Sequence, residues 1–363
     1  MKILLLAKVP AYYQLFCQPD QLFPQFQAQA FWLKALKKLD HKVKVFRYSD
    51  NLVLPQKLTA WITIKFQRAF PYFYSSYRQI RNRFYQFFPK TLFQSIKLKY
   101  LINSFKPEAI IISGGISELL SFPLKYAKRS GSKIYFLYGE DPKISATKFE
   151  KNNFPLFDWI ITNDLVHAFN WKKLGAKQTK ALPYTGINPQ IHKKLKLTQK
   201  QKKLYKSDLV FIGTLSLDRQ KILSQLTEFN LRIYGYIPPG IFLLNQLKRY
   251  YFGEAWGEKI VKIYNASKII LNFIPSHMPK GSNARTFEIP GCGAFQLVSR
   301  CPRNWLKPNK EIILFNSIKD LKEKIKYYLT YEKQRKKIAL AGYNRVNKDH
   351  TYIKRFSEIL ALS

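Results

Sequence analysis

The chain has 363 residues, 46% of them apolar, and its 62 lysines and arginines against 22 aspartates and glutamates give a formal charge of +40. A chain of this length exceeds the ~250–300 residues at which single cores stop growing, and this much apolar material excludes wholesale disorder. The basic balance points to polyanionic partners such as nucleic acid, anionic lipid or phosphorylated substrates, although the lysines are scattered rather than blocked, which a solvated lysine-rich surface explains equally well.

The first segment, Lys2–Ala7, reads as a buried strand. It is too short to span a membrane, and no small-residue cleavage site follows it as in a signal peptide, so the expected compartment is the cytoplasm. Apolar residues at three-to-four spacing predict an amphipathic helix over Phe23–Leu39, followed by a strand at Val43–Arg47. Leu52–Phe105 reads as irregular and is rich in aromatics and bases. Strands are predicted at Ala109–Ser113, Lys133–Tyr138 and Trp159–Thr162, with helices at Glu118–Arg129 and Leu165–Leu174. This alternation implies a parallel sheet, because parallel neighbours need a crossover connection. Pro183–Lys206, with its prolines, glycine and polar lysine-rich run, reads as a linker, placed at 185–206 between a first domain (1–184) and a second (207–347).

The alternation then restarts. Strands are predicted at Asp208–Gly213, Leu231–Gly235, Lys268–Phe273, Ala294–Ser299 and Glu311–Phe315. Helices are expected at Asp218–Glu228, Lys259–Asn265, Ala284–Gly291, Ile318–Leu329 and Lys333–Asn347, with a last one near Tyr352–Leu360. The fold class is therefore α/β, with one doubly wound architecture used twice.

In doubly wound sheets ligands sit beyond the carboxyl ends of the strands. One such end is Gly213-Thr214-Leu215-Ser216-Leu217-Asp218-Arg219. Gly213 lets a ligand approach the backbone, the following helix start favours phosphate, and Arg219 suits a bidentate pair with a diphosphate. Taken alone, an ordinary turn with an exposed arginine explains it better. The second is Lys280-Gly281-Ser282-Asn283-Ala284-Arg285-Thr286-Phe287-Glu288. Asn283 is a helix cap there, and Arg285 and Glu288 share a helical face. That pair suits a nucleoside diphosphate, with arginine on phosphates and carboxylate oxygens on ribose hydroxyls, or else is a surface ion pair. The strand ends Gly235 and Asn272 complete the candidate donor-binding set.

The stretches SKIILNF, ARTFEIPGCGAFQLV, EIILF and IALAGYNRVNKDHTYIKRFSEIL, with DLVFIGTLSLDR, LRIYGY and GEDP upstream, resemble the CgeB-like branch of the group 1 glycosyltransferases. The resemblance covers nearly all of the second half and is weak over residues 1–130. It implies the GT-B fold, two Rossmann-like domains facing each other across a cleft. It also implies a UDP- or GDP-linked nucleotide-sugar donor on the C-terminal domain, and a glycan, glycolipid or protein acceptor on the N-terminal one. In that pattern Arg219, six after Gly213, contacts the diphosphate, Glu288 contacts ribose, and Arg285 is a second phosphate contact. The sequence departs from the pattern at Lys280, where many members carry a further glutamate.

No metal motif stands out, and Cys17, Cys292 and Cys301 fit neither a zinc site nor a disulfide framework, so neither metal nor other cofactor is expected. An inverting enzyme needs a general base in the first half. Asp141 and Glu140 are the best-placed carboxylates and Glu118 the next, each with a capping or loop role as the competing explanation. His277 lies in the loop before Lys280. The aromatic and basic stretch Trp61–Phe105 fits a helical insertion with core aromatics, an anionic membrane interface that would hold a lipid-linked acceptor at the inner face of the plasma membrane, or base stacking. Two alternatives to glycosyl transfer stay open. One is a nucleotide-sugar-binding protein without turnover, suggested by Lys280. The other is a nucleic-acid-binding protein, suggested by charge but supported by no recognition motif.

Overall fold

The structure is a computed structural model that describes residues 1–7, 27–48, 89–114, 119–146 and 148–362, with single positions between 62 and 76. The chain divides into two compact units, Met1–Tyr184 with Phe356–Ser363, and Thr185–Arg355.

The first unit is built on a six-stranded sheet of β1 (Lys2–Ala7), β2 (Lys42–Arg47), β3 (Ala109–Ser113), β4 (Lys133–Leu137), β5 (Trp159–Thr162) and β6 (Thr179–Ala181). The order is β2-β1-β3-β4-β5-β6, and every pairing is parallel. Such sheets are buried on both faces, so their strands read as continuous apolar runs. In β1 Leu4 and Leu6 join a core with Ile110, Ile112, Ile134 and Phe136, and the alternating Ile3 and Leu5 are just as fully buried. Trp171, from helix Leu165–Lys173, closes that core edge-on to Phe136 and Tyr138, with centroids 6.0 and 5.7 Å apart. Helix Ala28–Lys38 buries Phe31, Trp32, Ala35 and Leu36. Trp32 meets Phe356, of helix Tyr352–Leu360, at 5.6 Å.

The second unit holds a five-stranded sheet of β7 (Ser207–Ile212), β8 (Leu231–Tyr234), β9 (Ser267–Asn272), β10 (Gln296–Val298) and β11 (Ile313–Leu314). Its order is β11-β10-β9-β7-β8, again all parallel. Leu209, Phe211, Ile269, Leu271 and Leu297 form one core. Their alternates Val210, Ile212 and Ile270 form another with Tyr264 and Ile289. The chain leaves β7 for β8 on one side and returns to β9 on the other. The crevice between the ends of β7 and β9 is therefore the topological switch point, where open α/β sheets place ligands.

Three expectations change. Within the stretch read as irregular, Pro89–Phe105 is a helix. Residues 185–206, read as a linker, include helix Gln199–Tyr205 with a full capping box at Thr198 and are counted with the second unit. The helix expected from Glu118 is described from Phe122. No described helix is long and apolar enough to cross a membrane.

Candidate functional site

The switch point of the second unit is built around Arg219. Helix Leu217–Leu223 starts just past β7 and carries this side chain back over the strand ends. One guanidinium nitrogen donates to the Thr214 carbonyl at 3.0 Å and the other to the Phe273 carbonyl at 2.8 Å. A single planar fork thus ties the turn after β7 to the residue after β9. Burial, and then the charge of Arg285, lower the Arg219 pKa to about 10. The group stays cationic at neutral pH, but it sits in a partly dry place beside a like charge. Among the described residues neither arginine forms an ion pair with a carboxylate.

Gly213 and Gly235 make room for this turn. Gly213 donates its N–H to the Tyr234 carbonyl at 3.0 Å. Gly235 has φ +154°, and a β-carbon on it would lie 1.7 Å from the Gly213 carbonyl oxygen. The Tyr251 hydroxyl donates to the Gly235 carbonyl at 2.9 Å and fixes the second strand end in turn. Gln220 was not anticipated. It is fully buried, donates to the carbonyls of Leu215 and Phe242 at 3.1 Å each, and accepts the Leu244 N–H at 2.8 Å. It therefore moors the loop after β8 to the turn after β7.

Asn272, at the end of β9, faces inward and is 1% exposed. Its amide donates to Thr286 Oγ1 at 3.1 Å and Gln296 Oε1 at 3.3 Å, while its carbonyl accepts from Asn283 at 2.9 Å. Asn283 Oδ1 accepts the Thr286 N–H at 3.2 Å, a capping bond for helix Arg285–Gly291. The buried Asn272 and the half-buried Asn283 thus frame the start of the helix carrying Arg285 and Glu288. Both this helix and Leu217–Leu223 have only 7 residues, so the side-chain cations carry most of the local positive charge.

Glu288 is half-buried, and its Oε1 lies 3.9 Å from Nε2 of His192. His192 was not anticipated, because it sits in the stretch read as a linker. Its Nδ1 accepts the Asn188 N–H at 3.0 Å, which leaves the ring proton on Nε2, facing Glu288. Burial lowers the His192 pKa, and the charge of Glu288 partly offsets that. The ring is neutral at physiological pH.

Thr214 has an exposed side chain, and Lys280 and His277 are exposed in the loop after β9. In the first unit, Asp141 caps a one-turn helix through the Lys143 N–H at 2.9 Å, and both its carboxylate oxygens accept from Asn170 at 3.0 Å. Its neighbour Glu140 is exposed. Glu118, Cys17 and most of Trp61–Phe88 lie outside the described residues. Cys292 and Cys301 are free and buried. Among the described residues no three His, Cys, Asp or Glu side chains cluster as metal ligands.

Comparison with known proteins bears on this geometry. Residues 219–361 match the family model described as glycosyl transferase-like. The chain is 25% identical over 264 residues to the spore protein CgeB of Bacillus subtilis (strain 168), covering 67% of this chain and 78% of that protein. Among solved structures it is similar to HepE of Anabaena in complex with UDP-glucose, with TM-score 0.63, 13% identity, and 99% and 98% of the two chains covered. It is also similar to a sucrose-phosphate synthase from Thermosynechococcus elongatus, with TM-score 0.62, 12% identity, and 99% and 96% covered. At these identities the structural likeness speaks for the fold, two parallel-sheet α/β domains of the GT-B kind.

Proposed function

We propose that this chain, a CgeB-like glycosyltransferase of the GT-B fold, moves a sugar from a nucleoside-diphosphate donor held at the switch point of its second unit to a glycan, glycolipid or protein acceptor. The observation that carries the donor site is the Arg219 fork across the ends of β7 and β9 with the like charge of Arg285 beside it. Two cations brought together in a half-dry crevice without a carboxylate partner are poised for an anion, and a diphosphate supplies charge of the needed sign and geometry. On this reading Arg219 and Arg285 take the phosphates and Glu288 the ribose hydroxyls. Gly213 and Thr214 offer the ligand backbone at the end of β7, Gly235 makes room for the Gly213 carbonyl, and Asn272 and Asn283 hold the frame.

The same cations would stabilise the charge that builds on the leaving diphosphate as the glycosidic bond breaks. That requires no metal of the described residues. UDP is the nucleotide to try first, because the similar HepE was solved with UDP-glucose, and GDP is the second. On the acceptor side Glu140 and Asp141 are the proposed carboxylates. Glu140 is exposed to a substrate, whereas Asp141 is held by capping bonds.

A thermal-shift screen against nucleoside diphosphates and their sugars tests this reading, since a ligand that binds only the folded state raises its melting temperature. UDP or GDP should raise it in the wild type and not in Arg219→Ala or Glu288→Ala. No shift with any nucleotide would remove the proposal. A second reading, donor binding without turnover, is favoured by the exposed Lys280 where the family pattern has glutamate. Release of free nucleotide from a bound donor in the presence of acceptor extracts separates the two.

A further inference from the structure

Helix Pro89–Phe105 of the first unit wears its amphipathicity inside out over its first turns. Thr91, Gln94 and Ser95 are buried, with Ser95 Oγ donating to the Thr91 carbonyl at 2.6 Å and accepting the Leu120 N–H at 2.7 Å. Leu92, Phe93, Ile96 and Tyr100 face outward and are 48, 46, 52 and 74% exposed. Phe93, Ile96 and Tyr100 recur at three- and four-residue spacing, so they form one continuous stripe. A helix that only packed on its own sheet would place these residues the other way round. The helix has no acidic residue, and lysines flank the stripe. Lys97 Nζ lies 4.9 Å from the centre of the Phe93 ring, and Lys99 Nζ lies 5.6 Å from that of Tyr126.

We propose that this face docks on an anionic lipid bilayer. Leu92, Phe93, Ile96 and Tyr100 enter the boundary between headgroups and acyl chains, and Lys97 and Lys99 meet the lipid phosphates. Charge selects this occupant. A second copy of the chain would bring lysine against lysine on a molecule already at +40. A nucleic acid would satisfy the lysines but offer nothing to the aliphatic Leu92 and Ile96, because base stacking needs rings. A bilayer takes both, as interfacial helices with basic and apolar residues do. The inference stands apart from the donor site.

Flotation of the full chain with vesicles tests it. Wild type should float with phosphatidylglycerol-containing vesicles and stay below with pure phosphatidylcholine. Phe93→Ser with Ile96→Ser, which leaves the charge untouched, should weaken partitioning about tenfold. Lys97→Glu with Lys99→Glu should weaken it by at least about tenfold. Lys333→Glu with Lys337→Glu, the same charge change on exposed positions of the second unit, should stay within about twofold of wild type. The proposal is overturned if wild type does not float, or if the stripe variants behave like that control. It is also overturned if the serine variant melts at a markedly lower temperature, because the stripe would then be covered by the chain itself. Nucleotide thermal shifts on the same samples keep a failure here distinct from a failure of the donor site.

Discussion

Nε2 of the buried His192 stands 3.9 Å from Oε1 of Glu288, and the Asn188 N–H holds the opposite ring nitrogen as an acceptor. The imidazole therefore presents a fixed N–H toward the carboxylate proposed for the ribose, and on that proposal it would act on the donor through Glu288. Such supporting groups set how well a ligand-binding carboxylate is pre-aimed. His192→Ala should weaken UDP binding about tenfold, whereas His192→Gln, which can place an amide N–H near the same point, should stay within about threefold. Calorimetric titration checks this, and equal losses in both variants would reduce His192 to packing.

Arg219 offers a sharper test, because charge and shape can be separated there. Arg219→Lys keeps a cation but cannot reach both the Thr214 and Phe273 carbonyls with one planar group. It should bind nucleotide diphosphate at least about tenfold more weakly than wild type, and Arg219→Ala should lose measurable binding. If the lysine variant matched wild type, positive charge alone would explain the site.

Gly235→Ala should damage the fold before it damages binding. Its β-carbon would overlap the Gly213 carbonyl oxygen, and that oxygen belongs to backbone that cannot swing aside. A cost of about 3 kcal/mol or more is expected, in the upper range for single substitutions. Urea unfolding with unchanged slope would measure it.

His350 predicts acid sensitivity. Burial first, and then the charges of Arg355 and Arg345, hold its pKa down at about 3 against an ordinary 6.5. Above 6.5 the ring is neutral in both states and costs nothing. As pH falls from 6.5 toward 3 the unfolded chain takes a proton that the folded chain refuses, so stability declines through that window. Melting temperature followed from pH 7 to 4 should fall less steeply in His350→Gln than in wild type.

Much of this architecture was legible because parallel strands are buried on both faces. Lys2–Ala7, Ala109–Ser113 and Trp159–Thr162 are short, nearly uninterrupted apolar runs, and the structure has the same bounds. Helix Pro89–Phe105 was legible only as one of three readings of Trp61–Phe105 and without bounds, because it buries Thr91, Gln94 and Ser95 and exposes Phe93 and Ile96, which removes the periodic signal. Strand Thr179–Ala181 has three half-exposed or exposed residues and no apolar pattern at all. At the candidate site, Arg219 was marked by its place six residues after the strand-end Gly213, and Arg285 and Glu288 by the helical face they share. His192 and Gln220 were not, since one reaches the site from a polar stretch far upstream in sequence and the other looks like any polar helix residue. Only the folded chain shows that Gln220 is fully buried and ties two loops.

The first unit is discontinuous: Phe356 is fully buried and packs on Trp32, and the Leu362 carbonyl accepts the Tyr135 hydroxyl at 3.0 Å. During synthesis at about 5–20 residues per second, its nascent sheet must wait many seconds with the Trp32 side unclosed, until residue 362 has left the ribosome. The part made first is finished last, so a stop codon at position 356, which leaves Thr185–Arg355 whole, would injure the amino-terminal half of the molecule rather than the half it follows.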